Sequence, residues 1–302
     1  MAYEYSKVLD SFKVCYTIIG RGKSKANELS NKINKKVYIG GVENFFNKND
    51  NSYKSAIIAS GVIDLTNIAK VLIKNSIKSI LIEKPGGMNL EDISSLAQWA
   101  KKENTNIYVA YNRRFYSTTF KAKEIIKKDG GLTSFKFDFT EWSSVVTKFY
   151  QNKNILNNWF LINSSHVIDL AFFIGGDPIK IESNIISDLP WHPSGSIFTG
   201  SGVTNMEIPF SYHANWNAPG RWSIEFFTKN HRIILCPLEE LKIQNNRNLK
   251  IRKVRIDCKY DKQYKPGLFM QISSFLNDKK NLIKIENHAS SMWYYAKING
   301  NN

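Results

Sequence analysis

The stretch Ile80-Leu-Ile-Glu-Lys-Pro-Gly-Gly87 decides the fold. Together with Ser79, its apolar first half predicts a short buried strand, and the proline and glycines that follow break that strand. A helix is predicted on either side, over 64–75 and over 90–103, with Asn89 as the N-cap of the second. Strands that alternate with helices indicate βαβ units around a mostly parallel sheet.

The same alternation extends from this stretch back to the first residues and forward to Arg113. Helices are predicted over 2–12 and 24–34, and strands over Val14–Ile19, Val37–Ile39, Ser55–Ala59 and Ile107–Ala110. Beyond Arg113 helices are predicted over Ser117–Lys128, Ser164–Ile174, 267–277 and 288–297, and strands over Ser134–Trp142, Ile179–Ile186, Thr204–Trp216, Trp222–Thr228 and Arg232–Leu235. Runs of strands after a βαβ region predict a Rossmann-like α/β domain over 1–113 and an α+β domain with an antiparallel sheet over 114–302.

Composition and charge narrow the functional class. The 302 residues are 42% hydrophobic, which is typical of a globular protein, and the formal net charge of +16 favours anionic partners. The lysines are scattered, and the basic run Lys250–Arg255 alternates as an exposed strand face does. We therefore predict no dedicated nucleic-acid function.

The cysteines and the apolar runs bear on the compartment. Cys15, Cys236 and Cys258 are too few and too far apart for a disulfide framework or a zinc ribbon, which suits a reducing cytoplasm. No apolar run approaches 18 residues, so no membrane span is predicted. The first residues lack the pattern of a secretory signal.

Three segments together resemble one known family. They are the Glu83-Lys84-Pro85 stretch, Ala110-Tyr-Asn-Arg-Arg-Phe115, and Asn163-Ser-Ser-His166-Val-Ile-Asp169-Leu followed by Gly175-Gly176. The chain resembles the Gfo/Idh/MocA group of NAD(P)-dependent sugar oxidoreductases over nearly its whole length. The resemblance implies a large open antiparallel sheet in the second domain, a sugar or nucleotide-sugar substrate between the domains, and a homo-oligomer. Many members act in surface-polysaccharide sugar biosynthesis.

The resemblance also implies roles for individual residues. Lys84 would contact the nicotinamide ribose and the substrate hydroxyl, where an ammonium favours a developing alkoxide. His166 is the candidate general base because it titrates near neutrality, and Asp169 lies one helical turn away and could orient it. Where the family often has Asp-x-Gly-x-His, the aspartate position here is Ile162. We expect Asn163 or a neighbouring serine to hydrogen-bond the sugar instead.

Further substrate contacts are expected in the second domain. Trp142 and Arg114 are the leading candidates, since an indole can stack on a sugar ring and an arginine can clamp a diphosphate. One of Arg113 and Arg114 is expected to be an ordinary ion-pair residue. Other candidates, each open to a purely structural interpretation, are Trp191, Trp216, Trp222, Arg221, His192 and His213.

The glycine-rich phosphate loop of a dinucleotide domain is not evident. The nearest match, Gly20-Arg-Gly22-Lys-Ser-Lys25, lacks the third glycine and follows a helix. One interpretation makes Val14–Ile19 the first strand. The favoured one makes 2–12 the first Rossmann helix and Val14–Ile19 the second strand, so that the first strand would lie before Met1. Strand two (Val14–Ile19) and strand four (Ser55–Ala59) would then each have an unpaired edge. We then expect Met1 to be an internal or misassigned start, with the native chain beginning about 10–15 residues earlier.

The loop after Ile19 then selects the adenosine ribose. It carries Arg21, Lys23 and Ser24 and no acid, which predicts NADP over NAD, although the loop could also be merely a basic surface. The resemblance extends the cofactor contacts to Ala59, Ser60, Glu83, Lys84 and Asn112. Two rival functions stay open: a catalytically silent sugar-binding or regulatory member of the family, and a basic nucleic-acid binder.

Overall fold

The computed structural model describes residues 1–49 and 52–300. Up to Val109 helices and strands alternate, as the sequence predicts. The elements are α1 (Ala2–Ser11), β1 (Ile18–Gly20), α2 (Lys23–Ile33), β2 (Val37–Ile39), α3 (Gly41–Phe46), β3 (Ser55–Ile58), α4 (Leu65–Lys74), β4 (Ser79–Ile82), α5 (Leu90–Lys102) and β5 (Asn106–Val109). The Asn89 side chain caps α5 by accepting a 2.9 Å hydrogen bond from the Asp92 amide, as predicted.

The second part of the chain is rich in strands. A 3₁₀ turn over Asn112–Phe115 leads into it, and a π-helical turn over Phe160–Ser164 precedes α9. The elements are α6 (Ser117–Lys128), β6 (Ser134–Asp138), α7 (Ser143–Phe149), α8 (Lys153–Asn157), α9 (Ser165–Gly175), β7 (Pro178–Ile186), β8 (Ile197–Thr204), β9 (Pro209–Asn215), β10 (Ser223–Phe227), β11 (His231–Leu235), β12 (Lys242–Asn245), β13 (Ile251–Lys253), α10 (Lys259–Gln263), α11 (Leu268–Leu276), β14 (Ile283–Lys284), α12 (Ile285–Ser290) and α13 (Met292–Asn299).

The chain forms two compact units. The first comprises Met1–Asn112 and Tyr260–Ala289, and the second comprises Arg113–Lys259 and Ser290–Asn302. The division after Asn112 lies one residue from the boundary expected at 113/114. The sequence did not indicate that 260–289 returns to the first unit.

In the first unit a four-stranded sheet has the order β14-β5-β4-β3. The strands β3, β4 and β5 are parallel, and β14 pairs antiparallel at the edge. Tyr5 and Val8 of α1 pack with Leu81, and with Leu268 and Ile272 of α11, in one buried cluster. Because side chains alternate along a strand, Ile80 and Ile82 face the other side. Both are fully buried, as a sheet covered on both faces requires.

The strands β1 and β2 form a separate two-stranded parallel sheet. Among the described residues β1 and β3 share no backbone pairing, as the favoured interpretation predicts. Side chains link them instead: the Tyr53 hydroxyl donates to the Thr17 hydroxyl at 3.0 Å near the strand starts, and Arg21 pairs with Asp64 at 2.7 Å beyond the strand ends. The strand predicted over Val14–Ile19 begins only at Ile18, and its three residues are half-buried.

The second unit is built on an eight-stranded sheet of order β13-β12-β11-β10-β6-β9-β8-β7. Its neighbouring strands are antiparallel except for the parallel pair β6 and β9. Phe135 and Phe137 of β6 lie on the face that packs against Phe172 of α9, whereas Lys136 lies on the opposite face. Gly176, at φ +90°, ends α9 as the sequence predicts. The predicted fold class, a parallel-sheet domain followed by a large antiparallel sheet, is confirmed.

The single strand predicted over Thr204–Trp216 is wrong. The chain turns at 205–208, where Glu207 has φ +60°, so that β8 and β9 form a hairpin. The strand β8 itself was not predicted. The antiparallel pairing of β10 with β11 forms a further hairpin, whose turn contains Lys229 and Asn230. Over the described ranges, none of the helices is both long enough and apolar enough to cross a bilayer.

Candidate functional site

In the first unit the candidate site is the turn that follows β4. Ile80, Leu81 and Ile82 of this strand are buried, so its carboxyl end fixes Glu83 and Lys84 at one edge of the sheet. The Tyr5 hydroxyl of α1 donates a 2.8 Å hydrogen bond to Glu83 Oε1. Burial, and then the neighbouring Glu83 carboxylate, raise the pKa of Tyr5 well above its usual value, so Tyr5 remains a neutral donor.

The Lys84-Pro85 peptide bond is cis. A buried histidine stabilises the turn that contains this bond. His288 is fully buried, and its Nε2 lies 3.0 Å from the Pro85 carbonyl oxygen, to which it donates. The Tyr111 hydroxyl lies 3.4 Å from the same nitrogen. Sequence reasoning missed His288, because more than 200 residues separate it from the turn and no motif surrounds it.

The predicted cofactor residues of the first unit lie at carboxyl ends of strands. Ala59 and Ser60 follow β3, which is parallel to β4 and has Ile58 opposite Ile82. Ala59 and Ser60 therefore lie at the same edge of the sheet as Glu83 and Lys84. Parallel sheets bind ligands at this edge. Asn112 is buried, and its amide nitrogen donates to the Pro266 carbonyl at 2.9 Å. That bond anchors the chain where the first unit ends.

The basic loop between β1 and α2 is solvent-exposed. Arg21 is 79% exposed and pairs with Asp64, while Lys23 and Ser24 are exposed in the first turn of α2. The pairing orients the guanidinium without burying it. Among the described residues there is no cluster of histidine, cysteine or carboxylate side chains that could hold a metal.

In the second unit α9 carries the predicted histidine. His166 is 7% exposed, and its ring lies 5.9 Å from that of Trp222. Asp169, one turn on, is held by Arg114 through two bonds, Nε to Oδ2 at 2.8 Å and Nη2 to Oδ1 at 2.6 Å. Burial opposes the charge on Arg114, but the Asp169 carboxylate raises the pKa of that guanidinium above its usual value. The structure thus pairs Arg114 and Asp169 with each other, and a substrate contact by either residue stays a prediction.

Glu141 is the central residue of this site that sequence reasoning missed. Its side chain is 1% exposed, and it accepts hydrogen bonds from Asn163 Nδ2 at 3.0 and 3.1 Å, from the Ser164 hydroxyl at 2.9 Å and from Arg221 at 3.0 Å. Burial raises the pKa of the Glu141 carboxyl, although Arg221 and the two amide and hydroxyl donors act against that rise. The amide nitrogen of Asn163, predicted to face the sugar, is thus bound to a carboxylate.

Sheet topology explains why these residues meet. The carboxyl end of β6 lies opposite the start of β10, with Asp138 facing Ser223, so the segment after β6 meets the segment before β10. The first segment supplies Glu141 and Trp142, and the second supplies Arg221 and Trp222. The sequence predicted Glu141 to lie inside a strand over Ser134–Trp142, whereas β6 ends at Asp138, and it did not show which residue would face the glutamate.

The tryptophans of the second unit differ in exposure. Trp142 is 50% exposed, and Arg221 lies over its ring at 5.2 Å. Trp191 stacks on the buried Trp216 at 5.5 Å, and His192 packs against the same ring. This second group is therefore an aromatic core, whereas Trp142 offers an open face. His213 lies elsewhere, on the exposed face of the sheet, where it pairs with Asp138.

His192 provides a test of the aromatic core. It is 4% exposed, its Nε2 has no hydrogen-bond partner, and burial lowers its pKa to about 4. Its usual pKa of about 6.5 applies in the unfolded chain, so the unfolded state binds more protons between these values. Stability is therefore complete above pH 6.5 and is lost as the pH falls toward 4. Between pH 7 and pH 5 we expect the free energy of unfolding to decrease by about 2 kcal/mol through this residue.

Urea unfolding at the two pH values measures that loss. The His192→Phe variant should lose about 2 kcal/mol less than the wild type, since phenylalanine fits an aromatic surrounding and does not titrate. His213→Gln is the matched control, because the His213 side chain is 56% exposed, and it should keep the wild-type loss. An equal acid loss in wild type and His192→Phe would contradict the assignment.

Comparison with known proteins supports the fold. No family model matches the sequence, and no curated protein sequence matches it. Solved structures do match. The chain is similar to a dehydrogenase (MviM) from Clostridium difficile, with 15% identity, a TM-score of 0.78, and coverage of 99% of this chain and 95% of the other.

Two further matches are sugar enzymes by name. One is the UDP-N-acetylglucosamine 3-dehydrogenase GnnA from Acidithiobacillus ferrooxidans, with 11% identity, a TM-score of 0.74, and coverage of 100% and 94%. The other is levoglucosan dehydrogenase in complex with NADH, with 15% identity, a TM-score of 0.77, and coverage of 100% and 94%. The chain has the fold of these dehydrogenases.

Proposed function

We propose that the chain is an NAD(P)-dependent oxidoreductase that transfers a hydride between a nicotinamide cofactor and a hydroxyl or ketone of a sugar or nucleotide sugar. The observation that carries this proposal is the position of Glu83 and Lys84 at the carboxyl end of a buried parallel strand, in a fold shared with NAD-binding dehydrogenases. Names of structural neighbours support a sugar substrate.

The first unit offers residues for two parts of a dinucleotide. Arg21, Lys23 and Ser24 are exposed and suit an adenosine ribose that bears a phosphate, and Ser60 and Glu83 at the strand ends suit the nicotinamide ribose. The loop Gly20–Lys25 leads into α2 and lacks the third glycine of a pyrophosphate-binding loop. When bound, the nicotinamide supplies the hydride acceptor or donor.

The chain's own residues supply the proton chemistry. Lys84 carries an ammonium that stabilises negative charge on the substrate oxygen as the carbinol loses its hydride. His166 accepts the hydroxyl proton, since an imidazole titrates near neutrality. Glu141 holds the Asn163 amide nitrogen and the Ser164 hydroxyl in place three and two residues before His166, and it acts as a positioning residue. Arg114 and Asp169 fix α9 to the 3₁₀ turn.

The cofactor preference is a separate prediction. NADP should bind more tightly than NAD, because Arg21 is a charged donor for a 2′-phosphate. Arg21→Ser should weaken NADP binding about tenfold and leave NAD binding unchanged. Titration calorimetry with both cofactors measures this, with Arg255→Ser, an exposed arginine of the second unit, as the control. Tighter binding of NAD than of NADP by the wild type would contradict the prediction.

Activity is tested with a panel of free sugars, sugar acids and nucleotide sugars, each with NADP and with NAD. The readout is the near-ultraviolet absorbance of reduced nicotinamide. The proposal expects reduction with at least one member of the panel. If no member of the panel reduces either cofactor, the result would instead favour a catalytically silent sugar-binding or regulatory protein. Ile162, which replaces the aspartate common in the family, supports that alternative.

We also propose a cytoplasmic location and a homo-oligomer. The free cysteines support the first. For the homo-oligomer, we propose that a second copy covers one polar face of the large sheet. On that face Lys136 and Arg232 each form an ion pair with Glu225. Size-exclusion chromatography with light scattering tests the assembly.

A further inference from the structure

Two arginines of the second unit lie against one indole. The guanidinium carbon of Arg113 is 4.8 Å from the ring centroid of Trp222, and that of Arg221 is 4.3 Å from it. Trp222 is 5% exposed, so the ring is a fixed support for both cations. Two positive groups are thus held close together by packing against the same ring.

Their partners differ. Arg221 forms an ion pair with Glu141, whose carboxylate is also engaged by Asn163 and Ser164. Arg113 forms no ion pair with any described residue, and its buried Nε has no hydrogen-bond partner. Guanidinium groups that leave water are normally paired with an acid. The two arginines therefore carry two positive charges beside one buried carboxylate, Glu141, whereas Glu239, whose charge also acts on Arg113, is exposed to solvent.

Arg114, the next residue in the chain, does have an acidic partner. Arg114 is fully engaged by Asp169 as its ion-pair partner, so it is the ordinary ion-pair residue that the sequence leads us to expect among the two. Burial lowers the pKa of Arg113, and the nearby Arg221 adds to that effect, against the influence of Tyr116, Glu239 and Glu141. An anion beside Arg113 would relieve both effects.

We propose that Arg113 and Arg221 bind a carboxylate or phosphate group of the substrate, and that Trp142 offers its open face to the attached sugar or base ring. The planar fork of a guanidinium matches both anions through paired hydrogen bonds. This inference rests on the proposed function and narrows its substrate to an anionic sugar, either a sugar acid or a phosphorylated or nucleotide-linked sugar.

Binding to the intact chain without cofactor tests the site. Isothermal titration calorimetry compares glucose with glucuronate, glucose 6-phosphate and UDP-glucose. At least one anion should bind about tenfold or more tightly than glucose, since charge-assisted bonds are the strong ones. Preference for glucuronate identifies a carboxylate site, and preference for the other two identifies a phosphate site. Equal binding of glucose and every anion, or binding of no anion, overturns the proposal.

The variants assign the effect to Arg113. Arg113→Gln should weaken binding of the preferred anion about tenfold or more and leave glucose binding unchanged. Arg113→Lys keeps the charge without the fork and should give a smaller loss, which covers the case in which the glutamine variant does not fold. The matched control is Arg255→Gln, an exposed arginine of the same unit, which should bind as the wild type does. Wild-type affinity in both Arg113 variants overturns the proposal.

The two proposals fail in different ways. Anion binding without hydride transfer to either cofactor would leave the anion site standing and contradict the oxidoreductase function. Hydride transfer from neutral sugars, with no anion bound more tightly than glucose, would support the function and contradict the anion site.

Discussion

Hydride transfer by the Lys84→Met variant should fall about 10²–10³-fold in kcat, the cost of removing one donor from a developing oxyanion. Lys84 is held in place by the buried strand β4 before it and by the turn after it, where His288 donates to the Pro85 carbonyl. Methionine keeps an unbranched apolar side chain of similar length, so the turn should survive and only the ammonium should be lost. Stopped-flow absorbance of reduced nicotinamide at saturating substrate measures the rate.

Lys74→Met is the matched control for this variant. Lys74 is an exposed lysine in the last turn of α4, in the same unit, and its substitution should leave kcat unchanged. A Lys84→Met variant that keeps wild-type kcat, or that loses activity no more than Lys74→Met does, would exclude Lys84 from the reacting atoms.

The largest expected effect on stability comes from the Arg114–Asp169 pair. Asp169 is 3% exposed, and Arg114 supplies two hydrogen bonds to its carboxylate. Arg114→Met leaves a buried carboxylate without its cation, and we expect the free energy of unfolding to fall by about 3–5 kcal/mol. Chemical denaturation followed by circular dichroism measures the change.

A double variant separates the lost pair from the stranded charge. In Arg114→Met/Asp169→Leu both charges are replaced by apolar groups, and most of the lost stability should return. Lys121→Met is the control: this lysine of α6 has a side chain that is 31% exposed and pairs with Glu124 at the surface, so the change should alter stability by less than about 1 kcal/mol. If the double variant were as unstable as Arg114→Met alone, simple packing and not an unpaired carboxylate would explain the loss.

Local patterns predicted much of this molecule because their causes are local. The buried run before Glu83 defines a strand, and the glycines after Ile174 end a helix, whatever lies elsewhere in the chain. The separation of β1 from β3 was also predictable, because a helix precedes β1 and the favoured interpretation makes these two strands the second and fourth, which are not neighbours in strand order.

The missed features depend on contacts between residues distant in sequence. Glu141 meets Arg221 only because β6 and β10 are antiparallel neighbours, and Asp169 meets Arg114 across 55 residues. Neither pairing has a sequence signature. The bond from the Asn163 amide nitrogen to Glu141 was not predicted either, and a contact of Asn163 or a neighbouring serine with the sugar stays a prediction.

The most direct test of the central claim follows the hydride itself. The protein is incubated with NADP or NAD and a mixture of carbon-deuterated sugars, sugar acids and nucleotide sugars, and the recovered cofactor is analysed by mass spectrometry. The account predicts reduced cofactor that carries deuterium on its nicotinamide ring. Cofactor recovered without deuterium, from both NADP and NAD, would contradict it.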